Sequence, residues 1–83
     1  MRLLGRHKFP PDAEVSQWLS GWVTEIKNAF WQGTADVHHQ FPNATHVGSD
    51  SFVFGIGSTG LEMEVSICFL HQIALINEIR KRV

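Results

Sequence analysis

Between Asp12 and Trp31 the apolar residues Val15, Trp18, Leu19, Trp22, Ile26, Ala29 and Phe30 recur at steps of three and four. That is the period of an α-helix with one buried face, and it predicts a helix from Asp12 to Trp31. Pro10 and Pro11 block an earlier start, Asp12 is suited to cap, and Glu14 suits the positive first turn. Gly33 offers a stop just beyond Trp31. Ser16, Gln17, Ser20, Thr24, Lys27 and Asn28 make the polar face. A stripe carrying two tryptophans needs a large apolar surface from elsewhere in the chain. The C-terminal half is expected to supply it as a small sheet.

Ahead of the helix, Met1 to Gly5 reads as a short edge strand with Arg2, Arg6 and Lys8 around it. Basic residues there also discourage edge-to-edge pairing. Thr34 to Gln40 reads as a second, shorter helix, with Thr34 as its cap and Asp36 in its first turn. His39 is expected on its inner side and His38 toward solvent. Pro42 ends it, and Pro42-Asn43 reads as a turn. From Thr45 the period becomes two: Ser51 to Ile56 places Phe52, Phe54 and Ile56 on one face. Gly57-Ser58-Thr59-Gly60 suits a hairpin connection. Leu61, Met63, Val65, Ile67 and Phe69 then alternate with Glu62, Glu64, Ser66 and Cys68, one face buried and one wet. His71-Gln72 turns the chain, Ile73 to Ile79 forms a last strand, and Arg80-Lys81-Arg82 closes it. The expected fold is α+β: two N-terminal helices packed on a small antiparallel sheet, one domain over residues 1–83.

The formal charge is −1 with five histidines uncounted, so any nucleic-acid contact must come from a local basic patch. Cys68 stands alone, which removes a disulfide framework and fits a reducing cytoplasm; in its strand it reads as a small core or half-buried residue. There is no apolar run of roughly 18 residues and no basic segment preceding a hydrophobic one, so no membrane association is expected. Gly55 to Gly60 has the glycines of a phosphate loop but lacks its Gly-Lys-Ser/Thr ending and leads into a strand. His38 and His39, about 100° apart on a helix, do not chelate one metal, and His46 does not complete a set. No metal or cofactor is expected. Glu62 and Glu64 read as the solvent face of their strand. The tail Arg80-Lys81-Arg82 is the concentrated positive feature, readable as a solvated end or as a phosphate contact beside an RNA cleavage site.

Taken together, several segments resemble the HigB branch of the RelE/ParE toxin superfamily over nearly the whole chain. They are Asp12-Ala13 leading to Trp18, Glu25 to Trp31, and Ala35-Asp36-Val37-His38-His39-Gln40-Phe41-Pro42-Asn43-Ala44. Phe52-Val53-Phe54-Gly55-Ile56-Gly57 is similar to the family's Val-Val-Phe-Asn-Ile-Gly. The resemblance implies the toxin of a type II toxin–antitoxin system, cutting mRNA on the translating ribosome with scattered basic residues and a C-terminal His or Tyr. Its partner would be an antitoxin of helix-turn-helix type, and a homo-oligomer is left open. The residues available for such work are His71, Arg80, Lys81 and Arg82 for catalysis, and Arg6, Lys8, Lys27 and His38 for RNA contact.

The departures are specific. Where the family has Gly-Asn-Lys-Tyr-Arg-Leu after Phe-x-Ile-Gly, this chain has Ser58-Thr59-Gly60-Leu61-Glu62-Met63, so Gly60 stands for a lysine and Glu62 for an arginine. The family's closing Gly-Thr-His-x-x-Tyr-Asp is replaced by Arg80-Lys81-Arg82-Val83, and the segment before Pro10 is shortened. Reversing one charge near 4 Å is worth roughly several kcal/mol at an effective dielectric of about 20. The expectation is therefore a toxin-family protein whose mRNA cleavage is weakened or lost. The alternatives are an endonuclease that uses His71 and the tail, and a non-catalytic module that binds an antitoxin-like partner.

Overall fold

A computed structural model describes residues 1–4 and 12–82, so Arg6, Lys8 and the Pro10-Pro11 start signal lie outside the described residues. Helix α1 spans Ala13–Asn28. Asp12 is its extended N-cap, and one carboxylate oxygen accepts the N–H groups of Glu14 at 2.9 Å and Val15 at 3.2 Å. Two of the four orphan donors of the first turn are thereby satisfied.

The helix stops three residues before Trp31, with Ala29 already extended. The Met1 amine donates to the carbonyls of Lys27 at 3.2 Å and Ala29 at 2.6 Å, a contact from far along the chain that local pattern does not reveal. Leaving the helix turns Phe30 off the apolar stripe, 71% exposed, and turns Trp31 inward, where its Nε1–H donates to Gln40 Oε1 at 3.0 Å. Helix α2 spans Thr34–Gln40, with Gly33 rather than Thr34 at the N-cap and no side-chain cap bond. Instead the Asp36 carboxylate accepts the N–H of Gln32 at 2.8 Å.

Five strands form one sheet: β1 (Arg2–Leu4), β2 (Thr45–His46), β3 (Ser51–Ile56), β4 (Leu61–Cys68) and β5 (Ile73–Lys81), in the order β1-β5-β4-β3-β2. The neighbours from β2 to β5 are antiparallel, but β1 runs parallel to β5. The sheet is mixed, and the expectation of a purely antiparallel one is corrected. Side-chain alternation reports which face a residue takes and carries no strand direction, so β1's orientation was not readable from it.

The alternate residues Phe52, Phe54 and Ile56 of β3 and Met63, Val65 and Ile67 of β4 are buried in one core with Val15, Leu19, Trp22 and Ile26 of α1 and Val37 of α2. α1 packs against β1 and β3, and the Trp22 ring meets Phe54 edge-on at 5.5 Å between centroids. In β5 the register runs Glu64↔Glu78 and then Val65↔Ile76, leaving Asn77 as an extra, bulged residue. The bulge shifts the alternation by one, so Ile76 and Ile79 both turn to the core although three residues apart.

Replacing the cap tests whether α1 is set locally. Asp12→Ala should lower unfolding stability by about 1 kcal/mol, and Asp12→Asn by much less, as measured by urea denaturation.

Candidate functional site

The sheet face turned away from α1 carries the charge. Glu62 and Glu64 occupy the alternate positions to buried Met63 and Val65, and the register sets Arg80 directly across from Glu62. Arg80 is therefore a residue of β5 rather than of a free tail. Its Nε–H donates to Glu62 Oε2 at 2.8 Å, and its Nη1 donates to Glu64 Oε1 and Glu78 Oε2, each at 3.0 Å. Glu64 and Glu78 are themselves direct cross-strand partners. Like charges so placed repel, and the guanidinium between them offsets that repulsion. The bond to Glu64, then those to Glu62 and Glu78, push the Arg80 pKa above its ordinary value. The side chain stays 32% exposed, so solvent screens these pairs. One arginine against three glutamates leaves this knot at −2.

Arg82 adds the nearest further cation. Its backbone N–H donates to the Gly60 carbonyl at 2.8 Å, and its guanidinium lies over Gly55 on the same outer face. A Cβ at position 55 would stand 2.9 Å from Arg82 Cζ, so the guanidinium takes this place over the sheet because residue 55 has no side chain. Gly55 occupies the place of asparagine in the resembling Val-Val-Phe-Asn-Ile-Gly, which was the one sequence signal that the space over β3 had changed. Arg82 makes no ion pair within 4.0 Å among the described residues. Counting it, the patch of Arg80, Arg82, Glu62, Glu64 and Glu78 sums to −1. Lys81 is exposed and, by alternation, points to the other face.

The remaining candidates lie elsewhere. His71 is exposed in the β4–β5 turn, while Arg80 lies at the other end of that hairpin. The seven steps of β5 from Ile73 to Arg80 alone span roughly 23 Å at about 3.3 Å per residue. Lys27 is exposed in the last turn of α1. The first turn of that helix lies at the Gly57–Gly60 hairpin, where the Ser58 hydroxyl donates to Glu14 Oε1 at 2.8 Å, so Lys27 belongs to the His71 end. His38 is the inward histidine, its Nε2 at 2.9 Å from the Ala44 carbonyl and its ring edge-on to Phe52, and His39 is exposed. That reverses the expected pair, because α2 ends one turn before the Ala44 carbonyl that draws His38 in. Cys68 is exposed at the end of β4, on the outer face and out of the core, which corrects its expected burial. Among the described residues no group of His, Cys, Asp and Glu is placed to hold a metal.

The geometry thus joins Arg80 and Arg82 with three glutamates and separates them from His71, Lys27 and His38. The model of the HigB toxin family, described as the RelE-like toxic component of a toxin-antitoxin system, matches residues 15–81. No curated protein matches the chain. Among the described residues no helix is long and apolar enough to cross a membrane.

Arg80→Ala leaves Glu64 facing Glu78 without a cation, and the thermal midpoint should fall. Adding Glu78→Gln should recover part of that loss, so the two effects should not add.

Proposed function

The chain belongs to the HigB family of RelE-like toxins, and on that premise we propose that it is a single-domain toxin component whose mRNA cleavage is weakened or lost. What it retains is binding to its antitoxin, a partner of helix-turn-helix type in the cytoplasm. The observation that carries this reading is the engagement of Arg80 by Glu62, Glu64 and Glu78. Cleavage of RNA by the family's route needs a base for the 2′-hydroxyl, an acid for the leaving oxygen, and cations on the phosphate. Here the outer face offers Arg80, already saturated by carboxylates, and Arg82, unpaired among the described residues, while Glu62 stands where the resemblance places an arginine. A phosphate approaching a patch of summed charge −1 is repelled rather than held.

The separation of the candidate catalytic set supports the same reading. General acid–base groups act within about 3 Å of the atoms they serve. His71 and Arg80 stand at opposite ends of the β4–β5 hairpin and do not share one scissile phosphate. The rival reading, an endonuclease built from His71, Arg80, Lys81 and Arg82, requires that they do. Of the RNA-contact candidates, Lys27 lies at the far end of α1 and His38 is engaged with the Ala44 carbonyl.

Induction of the chain in cells beside an active HigB toxin tests the proposal. Growth should continue and transcripts stay intact while the chain is present in folded form. Glu62→Arg moves the patch from −1 to +1 and should raise affinity for single-stranded RNA in a filter-binding assay, with the gain lost at high salt. Growth arrest with cut transcripts from the unaltered chain contradicts the reading.

A further inference from the structure

An open cleft of about 430 Å³ lies on the helix side of the molecule, between α1 and the connection from α2 to β2. The part-exposed Trp18 and Phe41 give it aromatic surface, and behind them the buried Trp22 lies nearly parallel to Trp18, 6.4 Å away. Glu25 is the one charged side chain on its wall, with no ion pair among the described residues. The Trp22 indole Nε1 is buried without a hydrogen-bond partner.

One wall of the cleft is backbone. The Asp50 carbonyl accepts the Ile67 N–H at 2.8 Å, which fixes the antiparallel alternation along β3. Phe52, Phe54 and Ile56 turn their N–H and C=O groups toward β4, and Ser51, Val53 and Gly55 turn theirs the other way. β2 begins at Thr45, opposite Val53, so the edge groups of Gly55 have no strand beside them where Gly55 enters the cleft wall. Arg82 does not serve this cleft, because it lies over Gly55 on the opposite face of the sheet.

Aromatic faces with a carboxylate and no cation attract a positive side chain and offer nothing to a phosphate. A free strand edge takes an extended backbone. We propose that the cleft receives an arginine or lysine side chain from an extended segment of the protein partner, whose backbone pairs with Gly55 at the open edge of β3. This rests on the reading of the chain as one half of a two-protein system, and it adds where the partner sits and what it presents.

The probe is an acetylated, amidated peptide Val-Thr-Arg-Val-Thr, with a twin carrying glutamate in place of arginine, added to the isolated ¹⁵N-labelled chain. The indole N–H resonances of Trp18 and Trp22 report on the cleft. A Cβ added at Gly21, on the cleft wall, meets no atom within 4 Å, so Gly21→Leu starts into open space and should occupy the cleft, and leucine favours helix over glycine. The arginine peptide should shift both resonances, Glu25→Lys should weaken it at least about tenfold, the loss of roughly one charge-assisted contact, and Gly21→Leu should abolish it. Equal response to both peptides, unchanged binding in Gly21→Leu, no response up to millimolar peptide, or a single-stranded RNA acting in the peptide's place would each overturn the proposal. The readout is taken on the isolated chain, so it stands or falls apart from the growth assay.

Discussion

The edge-on contact of Trp22 with Phe54 sits at the middle of a core that takes Val15, Leu19 and Ile26 from α1 and the alternate residues of β3 and β4. Such an aromatic pair contributes about 0.5–1.5 kcal/mol beyond the area it buries. More important is what it commits. A chain of 83 residues has apolar side chains for one such core, and placing them under α1 sends every second residue of the strands to the opposite face. Glu62, Glu64 and Ser66 are there because Met63, Val65 and Ile67 are in the core.

The bulge at Asn77 is the second half of the same constraint. In an unbroken strand with Ile76 inward, Glu78, Arg80 and Arg82 would also turn inward, and buried charges without full pairing are costly. One extra residue brings Ile79 to the core and moves those three charged side chains outward together. Arg80 then falls opposite Glu62 and between Glu64 and Glu78, and Arg82 falls over Gly55. The charge on the outer face is thus a consequence of how the core is filled. The same packing leaves β3 longer than β2, and so opens its edge beside Glu25 and the tryptophans.

Much of this was readable in the residues. The amphipathic helix, the hairpin at Gly57–Gly60 and the alternation of β3 and β4 follow from period and turn chemistry alone. What escaped has long-range causes. The end of α1 at Asn28 brings Phe30 out and Trp31 in, and it coincides with a contact from Met1. The parallel β1 pairs with the last strand of the chain, about seventy residues away. For the site, Glu62, Glu64 and Arg80 were each conspicuous, but their meeting depends on register and on Glu78, which looked like any polar residue near a strand end. Reading the last residues as a basic tail therefore overstated the free positive charge. The inversion of His38 and His39 has the same origin, a tertiary acceptor at Ala44 that helical periodicity does not encode.

The proposed loss of cleavage rests on the outer face holding a nucleic-acid backbone poorly: Arg80 is met by three carboxylates, and Arg82, though unpaired among the described residues, stands in a patch of summed charge −1. The most direct measurement is the affinity of the purified chain for a fluorescent single-stranded RNA as a function of salt. Each phosphate charge neutralised contributes a slope of about −0.7 in log K against log salt. Weak binding, with a slope shallower than that of a single contact, is the expected result. A steep slope, corresponding to three or more phosphates held at once, would show that the arginines are free to bind RNA and would contradict it.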